Sequence, residues 1–145
     1  MYDTILVPTD GSETVDRTLP HALRLASDHD ATVHALSVVD TRMIRASTDD
    51  LRADVKADLE AQADDAVASV ADAAREADIA VETEVRQGAP DREIVEYAEE
   101  TDADVIVLGP QGKTPREKVG GLGSVSDRVA SDAAASVFLV KQGDD

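Results

Sequence analysis

Residues 104–109 read Asp-Val-Ile-Val-Leu-Gly and include the longest purely aliphatic run of the chain. A short run of β-branched and aliphatic residues followed by glycine predicts a buried strand, and this most apolar of the predicted strands is expected to be central. Working outward, similar patterns predict four more strands. They cover residues 4–7, 32–39, 79–86 and 136–141.

Helices are predicted between the strands, where apolar residues recur three and four positions apart. They run from Val15 for about four turns, from Asp49 to Asp78, from Pro90 and from Ser124. Strands that alternate with helices and are nearly continuous in Val, Ile and Leu indicate a parallel sheet covered on both faces. The predicted fold is therefore α/β, a doubly wound five-stranded parallel sheet with helices on both faces, in a single domain over residues 1–145.

The composition excludes several classes of function. The chain has no Cys, which excludes a disulfide framework, thiol catalysis and an iron–sulfur cluster. The 14 Lys and Arg against 31 Asp and Glu give a formal net charge of −17, which argues against nucleic acid as a partner. Because no apolar run approaches the roughly 20 residues of a membrane span and no basic, apolar leader opens the chain, we expect a cytoplasmic protein with no membrane partner.

The choice of charged residues predicts adaptation to a salty cytoplasm. The acids are mostly Asp, 21 against 10 Glu, and the bases are mostly Arg, 10 against 4 Lys. Near 1 M salt the Debye length falls to about 3 Å, which screens the repulsion of such a surface. The alternative is an acidic protein whose excess charge maintains solubility.

The loop after the first strand is a candidate ligand site, because doubly wound sheets bind ligands beyond the carboxyl ends of their strands, where the strand order reverses. This loop reads Pro-Thr-Asp-Gly-Ser over residues 8–12. Asp10 is placed to accept hydrogen bonds from a ribose diol. From these residues alone the alternative is favoured, in which Asp10 or Ser12 caps the following helix.

Two glycine clusters flank the entry to the last predicted helix. Residues 109–114 read Gly-Pro-Gln-Gly-Lys-Thr, and residues 120–124 read Gly-Gly-Leu-Gly-Ser. Glycines allow close approach of the backbone to a ligand and the first turn of a helix presents free N–H groups, so the arrangement favours a phosphate site. The alternative is a plain loop with a serine cap. A Walker-type phosphate loop is disfavoured, because Val107 stands where that motif requires its first glycine.

Catalytic and metal-binding patterns are weak. The three histidines, at positions 21, 29 and 34, have no spacing typical of metal ligands. Ser124 lacks the Gly-x-Ser-x-Gly elbow of hydrolases, since position 126 is Ser. With no general base or nucleophile identified, we expect any hydrolysis to be slow or absent without a partner.

Four segments together resemble the universal stress protein family. They are residues 5–12 (Ile-Leu-Val-Pro-Thr-Asp-Gly-Ser), 38–40 (Val-Val-Asp), 107–112 (Val-Leu-Gly-Pro-Gln-Gly) and 123–125 (Gly-Ser-Val). The likeness runs in order through the whole chain. It implies a Rossmann-like fold of the adenine nucleotide alpha hydrolase kind.

Family members with the pattern Gly-x2-Gly-x9-Gly-Ser bind ATP, so the resemblance implies ATP, with or without Mg²⁺, as the ligand. By position, Asp10 would hold the ribose and Pro8 would line its loop. Val38 would contact the adenine and Leu108 would form the floor. The residues implied around the phosphates are Gly109, Gly112, Gly123, Ser124 and Val125.

The last predicted strand indicates a homodimer. Residues 137–140 read Val-Phe-Leu-Val, and an uncharged apolar strand at a sheet edge tends to pair with a copy of itself. The resemblance implies the same contact, through Val137–Lys141. The alternative is an interior strand without a partner.

The leading hypothesis is an ATP-binding stress-response module that changes its conformation or partners with nucleotide occupancy. An alternative is an interaction module of the same fold whose pocket is empty or holds another ligand. It is favoured by the ten residues between Gly112 and Gly123, where the ATP-binding pattern has nine. A slow nucleotide hydrolase is the third hypothesis.

Overall fold

The computed structural model describes residues 2–11, 14–109 and 124–140, with the backbone alone at Thr14 and Ser124. Strands and helices alternate along these residues. The elements are β1 (Thr4–Pro8), α1 (Thr14–His29), β2 (Thr32–Asp40), α2 (Thr41–Ala46), α3 (Arg52–Glu76), β3 (Val81–Gly88), α4 (Pro90–Glu100), β4 (Val105–Leu108), α5 (Ser124–Asp132) and β5 (Ser136–Leu139).

The strands of the described residues form one parallel sheet in the order β3-β2-β1-β4-β5. The chain builds outward from β1 to β3 and then returns to the other side of β1 with β4. This reversal confirms the predicted doubly wound sheet. The prediction that the fourth strand is central was wrong, because β1 occupies the middle of the sheet. β4 lies next to it and is fully buried, as its apolar run requires.

Helices cover both faces of the sheet. On one face, apolar residues of α1 and α3 such as Ala22 and Val70 pack on β1 and β2. On the other face, Ile94 of α4 and Val129 of α5 belong to a second core. Alternate strand residues supply the two cores, with Ile5 facing the first and Leu6 the second. Within the described ranges, no helix is long and apolar enough to cross a membrane.

The segment between β2 and β3 differs from its predicted boundaries. The short helix α2 was not predicted, and α3 begins at Arg52 because a turn precedes it, in which the Leu51 N–H donates to the Thr48 carbonyl at 3.0 Å. β3 starts at Val81, two residues later than predicted. The Ile79 N–H is used instead to close α3, by a 2.8 Å bond to the Ala74 carbonyl.

Aspartate occupies the left-handed position after three helices, where glycine is the usual residue. Asp30, Asp78 and Asp102 have φ values of 55°, 59° and 53°. In each case the next residue donates its N–H to a carbonyl in the last turn of the helix, as in a Schellman motif. Asp tolerates this conformation better than most side chains, so the chain turns sharply towards its next strand without glycine.

Candidate functional site

The carboxyl ends of β1 and β2 are staggered, which leaves room beside the point where the strand order reverses. The β1–β2 register ends at the pair of Pro8 and Leu36, whereas β2 continues beside β3 to the pair of Asp40 and Gly88. One further hydrogen bond joins the β1 segment to β2, from the Thr9 N–H to the Leu36 carbonyl at 2.8 Å. The register therefore leaves the end of β2 open on that side.

A cavity of about 350 Å³ occupies this space. Its wall is formed by the ends of β1 and β2, by α2 and α3, and by the first turns of α4 and α5. The charged residues in the described part of the wall are Asp10, Asp40 and Arg42. Its volume and mixed lining are typical of a small-molecule site. The apolar wall includes Pro8, Leu36, Val38, Leu59, Ile94 and Val125.

The backbone of Val38 supplies polar groups to this apolar wall. Alternate residues of a strand direct their N–H and C=O groups to opposite neighbours. The Leu36 carbonyl points towards β1, where it accepts the Thr9 N–H, so Val38 directs its own groups to the same side. Because the ladder has already ended at Pro8 and Leu36, these groups face the cavity that Val38 lines. A hydrogen-bond donor and an acceptor thus lie side by side.

The short helix α2 is held at the end of β2 by one carboxylate. Asp40 is its N-cap and accepts the Arg42 backbone N–H at 2.9 Å. Its two oxygens also accept the Arg42 Nε–H at 3.0 Å and an Nη2–H at 2.8 Å. The side-chain hydrogen bond from Arg42 holds the pKa of Asp40 below its ordinary value. Arg42 and the next residue, Met43, form the α2 part of the cavity wall.

The loop after β1 places Asp10 at the cavity wall. Thr9 is buried, and its hydroxyl oxygen accepts the Gly11 N–H at 3.2 Å. Gly11 has a φ of 81°, a conformation that favours glycine and turns the chain towards α1. Asp10 therefore lies between two hollows, since it also lines a second one of about 410 Å³ beside α1 and α3. Ser12, the other predicted helix cap, lies outside the described residues.

The first turn of α5 is fixed against the end of β4. The Ser126 hydroxyl donates to the Gly109 carbonyl, and both residues are buried. This bond brings Val125 to the cavity wall. The N-terminus of a helix, with its partial positive charge, thus lies close to the cavity.

The structure brings together four of the residues predicted to bind a ligand. Pro8, Asp10, Val38 and Val125 line one cavity. Leu108 and Gly109 are buried at the adjoining end of β4. Of the other three predicted residues, Gly112 and Gly123 lie outside the described residues and Ser124 is described by its backbone alone.

Sequence reasoning missed the part of the wall that comes from α2 and α3. Arg42 and Met43 belong to a helix that the periodicity did not reveal, and Gln62 lies on a helix predicted only as cover for the sheet. The order Asp40-Thr41-Arg42, an acid at a strand end followed by a cation, is the signal that could have indicated a capped turn.

The histidines have structural partners. His29 Nδ1 accepts the Tyr2 N–H at 3.3 Å, His34 Nδ1 lies 2.9 Å from the Tyr97 hydroxyl, and the His21 ring is 5.7 Å from the Phe138 ring. Over residues 2–11, 14–109 and 124–140, no group of three acidic or histidine side chains is arranged to hold a metal ion.

A doubly wound sheet with a cavity at its switch point is the architecture of many nucleotide-binding proteins. The sequence profile of the universal stress protein family matches residues 1–141. Universal stress protein MJ0531 of Methanocaldococcus jannaschii is 36% identical over 143 residues, which cover 98% of this chain and 84% of that protein. The chain therefore belongs to the universal stress protein family.

Solved structures agree with this assignment. The structure of MJ0577, a universal stress protein of the same organism, superposes with a TM-score of 0.86 at 30% identity and covers 100% of this chain and 99% of its own. A universal stress protein in complex with cAMP has a TM-score of 0.73 at 27% identity, covering 98% and 99% of the two chains.

Proposed function

We propose that this protein is a cytoplasmic, ATP-binding universal stress protein that acts as a nucleotide-dependent switch in a stress response. The observation that carries the proposal is the cavity at the switch point, which combines an apolar wall with the free edge of β2 at Val38. Pro8, Asp10 and Val125, which the resemblance assigns to the ligand, line the same cavity.

The adenine is proposed to lie against the end of β2. Apolar residues such as Leu36 and Ile94 line this part of the cavity, and the edge of the ring carries both an acceptor and a donor that match the Val38 N–H and C=O. The carboxylate of Asp10, which lines the same cavity, is proposed to accept hydrogen bonds from the ribose. A universal stress protein solved with cAMP supports an adenine nucleotide as the class of ligand.

The phosphates are proposed to lie beside the first turn of α5. Backbone N–H groups and the helix dipole favour negative charge there. This site matters in a chain with a net charge of −17, because neutral N–H groups offset phosphate charge without a cluster of basic side chains. Gly109, Gly112, Gly123 and Ser124 complete the proposed phosphate site, with or without Mg²⁺.

We propose binding with slow or absent hydrolysis. The described carboxylates of the cavity wall are Asp10 and Asp40. Asp40 is engaged by Arg42, which lowers the pKa of its carboxyl and makes it a weak base. Occupancy of the cavity, rather than turnover, would then carry the signal.

Isothermal titration calorimetry with Mg-ATP tests the proposal, in molar KCl because the composition favours a high-salt protein. Wild type should bind, Asp10→Asn should bind at least several-fold more weakly, and Ala63→Phe should block the cavity from α3. Asp16→Asn is the matched control, since it removes the same charge in the first turn of α1 and outside this cavity. No binding of ATP, ADP or AMP to wild type would overturn the proposal.

The second candidate is an interaction module whose cavity holds no nucleotide. The ten-residue spacer between Gly112 and Gly123 favours it, because the phosphate loop of the ATP-binding pattern is one residue shorter. The calorimetric experiment separates the two candidates directly.

A homodimer through β5 is also proposed. β5 lies at one edge of the sheet, and the Phe138 side chain on it is 41% exposed. Pairing with a second copy would satisfy the open edge and cover this ring.

A further inference from the structure

Arg42 is a cation in the cavity wall whose orientation is fixed. Two side-chain hydrogen bonds join its guanidinium to the two oxygens of Asp40, at 3.0 and 2.8 Å. A bidentate pair of this kind sets the plane of the guanidinium as well as its position. The Asp40 carboxylate is fixed in turn, because it also caps α2.

The two partners of this ion pair differ in their exposure to solvent. The side chain of Asp40 is 18% exposed, whereas that of Arg42 is 55% exposed. The carboxylate is thus an internal support, and the guanidinium retains a free surface at the wall of the cavity. A ligand can cover that surface without breaking the ion pair.

The topology places Arg42 on the β2 side of the switch point. β2 and β4 lie on opposite sides of β1, so the end of β2 and the first turn of α5 lie across the switch point from each other. A nucleotide with its phosphates beside α5 therefore has its base towards β2, where Arg42 follows directly.

The described wall of the cavity offers no aromatic side chain to a base. None of the described residues that line the cavity is Phe, Tyr, Trp or His. A guanidinium is flat and weakly hydrated and stacks on aromatic rings, which suits Arg42 to pack against the face of a base. The thioether of Met43, 55% exposed in the same helix turn, adds a polarizable contact.

We propose that Arg42, held by Asp40, stacks on the base of the bound nucleotide and is a specificity-determining residue of this site. The inference rests on the proposed function and goes beyond it. It assigns α2 to recognition of the base and makes no use of phosphate charge.

Calorimetric titration of adenosine, AMP and ATP into wild type, Arg42→Ala and Arg45→Ala tests the proposal in molar KCl. Arg42→Ala should weaken all three ligands by the same factor, about tenfold, as expected for the loss of a stacked, partly desolvated guanidinium. Arg45→Ala should leave all three affinities unchanged. Arg45 is the matched control because it is exposed on the same helix, carries the same charge and lies outside the described cavity wall.

Arg42→Lys separates a stacked plane from a point charge. It keeps the charge and loses the plane, so its affinities should resemble those of Arg42→Ala. Recovery of wild-type affinity by Lys would overturn the proposal, because a point charge would then be sufficient. A loss that grows from adenosine to ATP would also overturn it, because that trend indicates a phosphate contact.

The remaining outcomes distinguish this inference from the function on which it rests. Nucleotide binding by wild type with unchanged affinities in Arg42→Ala overturns the role of Arg42 and leaves the proposed function standing. Failure of wild type to bind any of the three ligands overturns both. Equal melting temperatures of Arg42→Ala and Arg45→Ala would exclude misfolding as the cause of a lost affinity.

Discussion

The two edges of the sheet are chemically opposite. β3 forms one edge and carries Glu82, Glu84 and Arg86, whereas β5 forms the other edge and reads Ser-Val-Phe-Leu over residues 136–139. A charged edge strand resists pairing with another chain, and an apolar one invites it. The chain therefore protects one edge and leaves the other suited to a partner.

Arg86 is at the centre of a cluster of charges at the β3 edge. Its Nε lies 3.1 Å from a Glu84 carboxylate oxygen and its Nη1 lies 2.6 Å from one of Glu100. The guanidinium also lies 4.8 Å from the centre of the Tyr97 ring. One cation thus joins the edge strand to α4 and offsets the acids around it. The described part of β5 has no comparable cluster of charges.

The largest expected effect comes from a charge placed on the open edge. Phe138→Lys should shift the dimerisation equilibrium towards monomer by at least about 100-fold, because an apolar ring is replaced by a solvated cation at the proposed interface. Sedimentation velocity over a range of concentrations measures the change. Thr83→Lys adds the same charge to the β3 edge and should leave the association unchanged. A Phe138→Lys protein that still sediments as a dimer would remove β5 from the interface.

The next effect comes from removal of the cation at the centre of the β3 cluster. Arg86→Met leaves Glu84 and Glu100 without their shared partner and should lower the free energy of unfolding by about 1–3 kcal/mol. The loss should be smaller in molar KCl, since salt screens repulsion between carboxylates. Urea unfolding at both salt concentrations measures it. Arg92→Met, an exposed arginine of α4, is the control, and an equal loss in the control would show that the cluster has no special role.

A smaller effect is expected where α3 turns into the β3 edge. Asp78→Asn keeps a side chain that tolerates the left-handed conformation and removes a negative charge from a helix C-terminus. It should raise the free energy of unfolding by about 0.3–1 kcal/mol at low salt and by less in molar KCl. Asp64→Asn, exposed in the middle of α3, should do less. An effect independent of salt would contradict the electrostatic explanation.

The smallest effect concerns the junction of the two halves of the sheet. The carboxylate of Asp104 accepts the backbone N–H groups of Asp3 at 2.7 Å and Thr4 at 3.1 Å, which joins β4 to β1. The hydrogen bond from Asp3, followed by that from Thr4, lowers the pKa of Asp104. Because the folded pKa lies below the unfolded one, the stabilisation is complete above the unfolded pKa and is lost as the pH falls through the folded pKa.

Asp104→Asn should therefore cost about 0.5 kcal/mol of unfolding free energy at pH 6, the small size reflecting solvent exposure. The difference from wild type should shrink below about pH 4, the ordinary range for Asp. Urea unfolding across this pH range measures the difference. Asp58→Asn, exposed on α3, is the control, and a deficit that persists unchanged at low pH would show that ionisation of Asp104 is not the cause.

The fold was largely predictable because its strands are short apolar runs and most of its helices are long enough to show a period. Pro90 marked the start of α4 correctly, since proline suits the first turn of a helix. The six residues of α2 are too few to show a period, and its start depends on a single carboxylate, that of Asp40. The site was predictable in part, because Asp10 and Val38 lie at strand ends that the switch-point rule selects.

The sequence by itself determined the doubly wound sheet, the apolar cores and the family, because periodicity, strand composition and local motifs are properties of neighbouring residues. The tertiary structure alone decided which side chains share the cavity. The stagger of β1 against β2 and the ion pair of Asp40 with Arg42 depend on register and on the packing of α2, and neither is encoded in a repeating pattern. For this reason the sequence pattern did not indicate that Arg42 lines the cavity, whereas the folded structure does.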